Sequence, residues 1–252
     1  MVYITGDCHA EFNKFSTNAF PEQKEMTRED IVIICGDFGG VWNGGGSESY
    51  WMNWLSEKQF TIVFVDGNHE NFDRLYSDEF EIVDYHGGKA HKIRENIYHL
   101  MRGYVFDFDG KKFFAFGGAR SHDIGDGILD ESDFNSREEM MREASKMRRE
   151  YKLFRINHIS WWEQELPTKE EMLFGLENLD KNGNEVDYIV SHCCPAQIAA
   201  MYGFHDTDIL SQYFNTILED VKFKKWFFGH YHDDKQIMVK FIMLYDQIVR
   251  VV

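Results

Sequence analysis

Residues 2–9 read Val2-Tyr3-Ile4-Thr5-Gly6-Asp7-Cys8-His9, a short apolar run followed at once by a glycine, an aspartate and a histidine. The β-branched and aromatic residues at 2–5 predict a buried strand, and Gly6-Asp7 predicts the turn that ends it. Two side chains able to bind a metal therefore follow the carboxyl end of this strand. In open α/β sheets, ligands bind at that end of the strands. The stretch predicts an α/β protein with a site at its strand ends.

Four further apolar runs end in the same way, each followed by a residue able to bind a metal. They are Ile31–Cys35 before Gly36-Asp37, Thr61–Val65 before Asp66-Gly67-Asn68-His69, Tyr188–Val190 before Ser191-His192, and Trp226–Phe228 before Gly229-His230. Taken singly, an aspartate after a strand is usually a turn residue or a helix N-cap, and a lone histidine is usually structural. The recurrence at five strand ends favours one shared site.

The remaining elements follow from hydrophobic periodicity and turn signals. Helices are predicted at Ser47–Lys58, Arg137–Tyr151, Thr168 to about Lys181 and Ser211–Val221, with capping-box patterns at Ser136/Glu139 and Thr168/Glu171. A hairpin is predicted between Tyr104 and Phe116, with Asp109-Gly110 as its turn, and two strands are predicted in Gln236–Val252 around Tyr245-Asp246. The polar segment at about 121–165 is flanked by predicted strands. We therefore predict a single domain, residues 1–252, that contains this segment as a charged insertion.

The composition limits the classes of function. The chain has 252 residues, 43% of them hydrophobic, and its 27 basic and 43 acidic residues give a formal net charge of −16. The apolar content supports a sizeable core. The negative charge argues against non-specific coating of nucleic acid, which needs an excess of Lys and Arg, although it leaves a local basic site open. The sequence contains no run of about 18 apolar residues, so no membrane span is predicted.

The cysteines and the N-terminus bear on the cellular compartment. Cys8, Cys35, Cys193 and Cys194 are too few and too oddly spaced for a disulfide framework, and they form no CxxC pair of the kind that binds zinc. The first residues lack the basic and apolar regions of a secretory signal. These features predict a reduced, cytoplasmic protein.

Two pairs of residues sharpen the prediction of a metal site, Asp7-x-His9 and His230-x-His232. In an extended segment, residues i and i+2 project to the same side, so each pair can reach one point in space. With the other His, Asp and Asn residues at strand ends, the set is large enough to bind two divalent cations. Imidazole, carboxylate and amide oxygen together suit Mn, Fe, Zn or Co better than Ca or Mg.

The order of these motifs resembles the calcineurin-like metallophosphoesterase superfamily. The motifs that carry the resemblance are Gly6-Asp7-Cys8-His9, Gly36-Asp37, Gly67-Asn68-His69-Glu70, Ser191-His192 and Gly229-His230-Tyr231-His232. The resemblance implies a four-layered αββα sandwich with two mixed β-sheets. It also implies that Asp7, His9 and His232 bind a first metal, that Asn68, His192 and His230 bind a second, and that Asp37 bridges the two. His69 matches the family's catalytic histidine, which contacts the phosphate and is proposed to protonate the leaving oxygen.

One branch of the superfamily fits the sequence poorly. Protein Ser/Thr phosphatases resemble GDxVDRG after the second strand, whereas this chain reads Gly36-Asp37-Phe38-Gly39-Gly40-Val41-Trp42. The second Asp, which orients the catalytic histidine in that branch, and the Arg, which holds the phosphate, are both missing. The sequence does not show what orients His69. Arg120, in the turn after the Phe113–Phe116 run, is a candidate for binding substrate, with a plain surface arginine as the equal alternative.

The sequence therefore predicts a metal-dependent phosphoesterase that hydrolyses phosphomonoesters or phosphodiesters through a dinuclear site and a metal-bound hydroxide. Its predicted cofactors are two divalent ions, manganese first, with iron, zinc, nickel and cobalt as alternatives. One alternative is a catalytically silent metal-binding scaffold of the same fold, and another is a nuclease or nucleic-acid phosphatase. The predicted partner is a phosphate-ester substrate. We predict no association with a membrane, and the overall charge does not indicate binding to nucleic acid. The sequence leaves the substrate, the native metal and the oligomeric state open.

Overall fold

The computed structural model describes residues 1–205 and 207–252. Within them the chain forms fifteen strands: β1 (Val2–Thr5), β2 (Ile31–Ile34), β3 (Thr61–Phe64), β4 (Glu81–Tyr85), β5 (Gly88–Arg94), β6 (Ile97–Leu100), β7 (Tyr104–Phe108), β8 (Lys111–Phe116), β9 (Ile128–Leu129), β10 (Arg155–Ile156), β11 (Tyr188–Ser191), β12 (Lys225–Phe228), β13 (Lys235–Ile237), β14 (Phe241–Met243) and β15 (Ile248–Arg250). The same residues form six α-helices: α1 (Gly46–Ser56), α2 (Phe72–Leu75), α3 (Arg137–Arg149), α4 (Lys169–Lys181), α5 (Ala196–Met201) and α6 (Ile209–Asp220).

Two large mixed sheets form the body of the molecule. The first sheet has the strand order β15-β1-β2-β3-β6-β5-β4, and the second has the order β13-β14-β12-β11-β8-β7. Strands β1, β2 and β3 pair in parallel, as do β8, β11 and β12 in the other sheet. The five strands that precede the site motifs therefore lie near the centres of the two sheets, with their carboxyl ends close together.

The alternation of side chains along the strands builds three apolar layers. Ile4 of β1 and Phe227 of β12 meet in the layer between the two sheets. Tyr3, one residue along β1, faces the outer side of the first sheet, where Leu55 of α1 packs. Phe214 of α6 packs on the outer side of the second sheet. Because successive residues of a strand point to opposite faces, each central strand contributes to two layers. The arrangement is the four-layered αββα sandwich that the resemblance implied.

Most of the predicted elements are confirmed. The five predicted strands before the site motifs correspond to β1, β2, β3, β11 and β12, and the hairpin turns at Asp109-Gly110. Helix α4 begins with a complete capping box, because the Thr168 hydroxyl accepts from the Glu171 N–H and the Glu171 carboxylate accepts from the Thr168 N–H. Strands β14 and β15 flank Tyr245-Asp246 as predicted, but they join different sheets, and β13 was not predicted.

The capping box predicted at Ser136 is only half formed. The Ser136 hydroxyl accepts from the Glu139 N–H, as a cap should. The Glu139 carboxylate accepts instead from the backbone and side-chain N–H groups of Asn135. Glu139 therefore bonds to Asn135 and not to the backbone N–H of Ser136, which the capping-box pattern predicts.

The charged insertion has a small core of its own and is attached to the body of the protein. Strands β9 and β10 pair in parallel beneath α3, and Met140 and Ala144 pack there against Ile156. Trp162 is buried at the end of the insertion, and its indole N–H donates to the Asp73 carboxylate at 2.8 Å. The insertion is therefore held against the edge of the sandwich that carries the site motifs.

Candidate metal centre

The carboxyl ends of the five central strands bring the predicted ligands to one edge of the sandwich. Asp7 follows β1, Asp37 follows β2, and Asn68 and His69 follow β3. His192 follows β11, and His230 and His232 follow β12. Three overlapping groups place one ligand atom per residue within 4.8 Å of one another: Asp7, His9 and His232; His9, Asp37 and His69; and Asp7, Asp37 and His192.

Asp7, His9 and His232 form the first cluster. Nε2 of His232 lies 3.2 Å from Oδ2 of Asp7 and 3.0 Å from Nε2 of His9. Nε2 of His9 lies 3.6 Å from the same carboxylate oxygen. Three ligand atoms thus face one another at the spacing that a shared cation would need.

His192 and Asn68 form the second cluster with Asp37. Nδ1 of His192 lies 2.7 Å from the Cys35 carbonyl, which can only accept, so Nδ1 carries a proton. Nε2 of His192 then faces Oδ1 of Asn68 at 3.2 Å and Oδ1 of Asp37 at 3.3 Å. A histidine that donates one ring N–H to a backbone carbonyl and turns the other nitrogen inward is typical of metal ligands.

His230 lies beside the second cluster. Its ring packs edge-to-face against His192, with ring centroids 4.9 Å apart. Its Nε2 lies 2.7 Å from Nε2 of His122. The backbone N–H of His230 donates to Oδ1 of Asp7 at 3.0 Å, which ties the β12 loop to the β1 loop. The structure therefore brings all seven predicted ligands and His69 to one place.

Two glycines allow the loops to approach closely. A Cβ atom on Gly229 would lie 2.0 Å from Oδ1 of Asp7, and one on Gly67 would lie 2.0 Å from Oδ1 of Asp37. Contacts this short do not occur, so a larger residue would displace the carboxylate. These glycines are required by packing against the ligand side chains.

The expectation that the ligand pairs lie on extended backbone was wrong. His9, His230 and His232 have φ values of +47°, +70° and +51°, in the left-handed region, and Asp37 has +46°. Left-handed residues other than glycine are strained and cluster at functional sites. Asp7 and His9 still converge, but through a tight turn rather than through the alternation of a strand.

Both carboxylates are buried and carry charge. Asp7 and Asp37 are 2% and 1% exposed, and among residues 1–205 and 207–252 their ion-pair partners are histidines and not Lys or Arg. Burial acts to raise the pKa of each carboxyl, but the charge and hydrogen bonds of the surrounding imidazoles outweigh burial and lower both pKa values.

The same electrostatics bear on His192. Burial lowers the pKa of His192, but the Asp37 and Asp7 carboxylates outweigh burial and raise it. The cluster thus holds two buried anions and attracts positive charge to the space between them. A divalent cation satisfies that demand, so the residues present fit a metal.

His69 and Arg155 meet beside these ligands. The backbone N–H of His69 donates to Oδ1 of Asp37 at 2.7 Å, and Nη2 of Arg155 lies 3.3 Å from Nε2 of His69. Burial, together with the Arg155 charge, lowers the pKa of His69 despite the nearby Asp37 carboxylate. Arg155 comes from β10 of the insertion and is held by Asp123, whose carboxylate oxygens lie 2.7 and 2.9 Å from its Nε.

The sequence did not reveal the contacts that Arg155 and Glu70 make. Glu70 is buried, and its two oxygens accept from the N–H groups of Phe38 at 2.7 Å and Gly39 at 3.2 Å, which holds the turn after Asp37. The motif Gly67-Asn68-His69-Glu70 contained Glu70 but gave no sign of this role. Arg155 lies in a segment with no motif, so only the tertiary structure reveals it.

Arg120 is placed beside the site but not within it. Its side chain is exposed, and it lines a cavity of about 220 Å³ together with Ser121, His122 and His230. The turn formed by Gly117-Gly118-Ala119 thus places Arg120 on the side of the centre that holds His230. The role in substrate binding stays a prediction.

Comparison with known proteins agrees with this geometry. Residues 1–234 match the family described as calcineurin-like phosphoesterase. The chain belongs to the calcineurin-like phosphoesterase family. It is similar to lariat debranching enzyme A from Xenopus laevis, with 27% identity over 150 residues. It is also similar to the lariat debranching enzymes from Danio rerio, with 26% identity over 150 residues, and from Homo sapiens, with 26% identity over 151 residues.

These curated relatives are much longer than the aligned region. The alignments cover 53%, 53% and 54% of this chain but only 26%, 25% and 26% of the relatives' own length. The chain therefore matches about a quarter of the length of these relatives, whereas the family match extends over residues 1–234. Within the described residues, no helix is long and apolar enough to span a bilayer.

Proposed function

We propose that the protein hydrolyses phosphate esters at a dinuclear metal site at the strand ends. Asp7, His9 and His232 would hold one cation, Asn68, His192 and His230 would hold the other, and Asp37 would be shared. The observation that carries the proposal is the placement of two buried carboxylates, surrounded by imidazole ligands, next to His69. When bound, the cations supply Lewis acidity that neutralises the phosphoryl oxygens and activates water near neutral pH.

The protein's own residues would position the ester and move a proton. Arg155 would bind a non-bridging phosphoryl oxygen, because a guanidinium makes charge-assisted hydrogen bonds with phosphate. The Arg155 guanidinium can only donate, so Nε2 of His69 accepts in this contact. When the guanidinium turns to the phosphate, Nε2 would take up a proton from water and pass it to the leaving oxygen. Asp37 holds the His69 backbone, and the Asp123 carboxylate holds Arg155. This pairing would supply what the absent Asp and Arg supply in the protein phosphatases.

We propose manganese as the metal, with iron, zinc, nickel and cobalt able to use the same N and O ligands. We also propose a cytoplasmic location, supported by four buried cysteines that are all free. Residues 1–252 would form one domain, because the insertion at about 121–165 delivers Arg155 to the centre and packs through Trp162 against Asp73.

Hydrolysis of a chromogenic phosphomonoester and of its diester analogue, each with Mn, Ni, Zn or Mg, tests the proposal. We expect turnover that depends on the metal, and we expect Asp37→Asn to lower both turnover and the metal content. The ratio of monoester to diester rates assigns the substrate class. No turnover of either ester with any metal, together with an unchanged metal content in Asp37→Asn, would refute the proposal.

A further inference from the structure

A cavity opens beside the proposed catalytic histidine, and neither His192 nor His230 lines it. Its volume is about 350 Å³. His9 and His69 line it, together with Trp42 and Asn43 from the loop that runs into Gly44-Gly45-Gly46 and with Ser47 from the start of α1. A group bound in this cavity would therefore be in contact with the residue proposed to protonate the leaving oxygen.

The loop that carries Trp42 is held in place despite its glycines. Oε2 of Glu48 accepts from the backbone N–H groups of Trp42, Asn43 and Gly44, each at 2.8 Å. The amide of Asn71 donates to the Trp42 carbonyl at 2.6 Å. The loop therefore forms a defined wall for the cavity.

The indole of Trp42 is supported from behind by a second indole. Trp42 packs edge-to-face with Trp162, with ring centroids 5.4 Å apart and an interplanar angle of 85°. Trp162 is itself buried and anchored to Asp73. Trp42 is only half-buried and lines the cavity, so its rigid aromatic surface is available to a ligand.

We propose that this cavity is a subsite for a flat heteroaromatic ring in the leaving group of the substrate, as in a nucleoside phosphate. The proposal rests on the hydrolytic function proposed above, because His69 defines which side of the phosphate the leaving group occupies. A fixed indole offers a stacking surface, and Asn43 and Ser47 offer polar groups at the rim for the edge of a base. The net charge of −16 favours a small nucleotide ester over a long polyanion.

Binding of adenosine to the metal-loaded protein, measured by isothermal titration calorimetry, tests the subsite without turnover. Stacking of a base on an aromatic side chain is strong enough that its loss weakens binding by about tenfold or more. We expect that weakening in Trp42→Ala and a smaller one in Trp42→Phe. Tyr50→Ala is the matched control, because Tyr50 is an exposed aromatic residue of α1 that does not line the cavity, and it should bind as the wild type does.

A second measurement compares kcat/KM for adenosine 5′-monophosphate and ribose 5-phosphate, which both release a primary alkoxide at C5 of a ribose and differ in the base. We expect the wild type to prefer the adenosine ester and Trp42→Ala to lose the preference. The subsite is overturned if the wild type does not bind adenosine, or if Trp42→Ala binds it equally well, even when other esters are hydrolysed. If adenosine binds through Trp42 but no ester is hydrolysed, the cavity still binds the ring, whereas its assignment to a leaving group fails together with the hydrolytic proposal.

Discussion

Nη2 of Arg155 lies 3.3 Å from Nε2 of His69, although 86 residues separate the two in the chain. Nε of Arg155 donates to Asp123, and its Nη1 donates to the Ser160 carbonyl at 3.0 Å. The guanidinium is therefore aimed at the histidine by groups of the insertion. This contact links the charged insertion at about 121–165 to the proposed catalytic histidine.

Replacing Arg155 tests whether the guanidinium binds phosphate. We expect Arg155→Ala to lower kcat/KM by about 10- to 100-fold, which corresponds to the loss of a hydrogen bond to a charged group. Inhibition by inorganic phosphate should weaken in parallel, while the metal content stays unchanged. Arg155→Lys should recover part of the phosphate affinity, because the charge remains.

Arg149→Ala is the control for Arg155, since Arg149 is an exposed arginine on α3 of the same insertion. It should leave kcat/KM and the inhibition by inorganic phosphate unchanged. Equal inhibition by phosphate in wild type and Arg155→Ala would show that Arg155 does not contact the substrate.

His69→Ala should abolish most turnover and leave the metals bound. General acid catalysis contributes about 10²–10⁴-fold, and it matters more for a poor leaving group than for a good one. We therefore expect a larger loss with an alkyl phosphate ester than with a nitrophenyl ester. Rates on both esters and the metal content by atomic emission check this. Loss of metal from His69→Ala would mean that His69 is a ligand instead of a proton donor.

Gly229→Ala should impair metal binding without unfolding the protein. The added methyl group would lie 2.0 Å from Oδ1 of Asp7, so the carboxylate must move away from His9 and His232. We expect metal affinity to fall by about 10- to 100-fold, as for groups that orient ligands. Metal titration and thermal unfolding measure the two effects separately.

Gly46→Ala is the matched control for Gly229, because a methyl group at Gly46 would meet nothing within 4 Å. It should leave metal affinity unchanged. A Gly229→Ala protein with wild-type metal affinity would show that the position of Asp7 is not critical.

The pH dependence of stability depends partly on His91. Burial lowers the pKa of this imidazole, and the nearby His99 lowers it further, to about 4 from an ordinary value of 6.5. The unfolded chain binds the proton more tightly than the folded chain does. Stability is therefore highest above pH 6.5 and falls as the pH drops toward 4. The loss between pH 7 and pH 5 from this one group is about 2 kcal/mol.

Urea unfolding of wild type and His91→Asn at pH 7 and pH 5 measures this contribution. Nδ1 of His91 lies 2.9 Å from Nδ1 of His99, and an asparagine amide can donate from nearly the same place. We expect the variant to be less stable at pH 7 but to lose less stability on acidification. An identical loss in both proteins would contradict the assignment to His91.

The sequence predicted the fold, and it predicted that the candidate ligands meet at one edge of the sandwich, because both follow from local patterns. A run such as Val2–Thr5 shows its burial in its own composition, and the turn residues after it show where the strand ends. The parallel pairing of β1, β2 and β3 then brings Asp7, Asp37 and Asn68 to one edge. The resemblance of the motifs to a known family supplied the roles.

Contacts that depend on tertiary structure could not be predicted. Arg155 reaches His69 only because β10 pairs with β9 and Asp123 holds the guanidinium, and no local pattern encodes those distances. Likewise, Glu70 holds the Phe38-Gly39 backbone across 32 residues of sequence. The left-handed backbone of His9 and His230 was missed because the residues that follow β1 and β12 resemble extensions of the strands.

We propose above all that one centre binds two cations on either side of Asp37. Anomalous diffraction from crystals of the manganese-loaded protein tests it most directly. We predict two peaks about 3.5–4 Å apart, one among Asp7, His9 and His232 and the other among Asn68, His192 and His230, with the Asp37 carboxylate between them. A single peak, or peaks away from these residues, would contradict it.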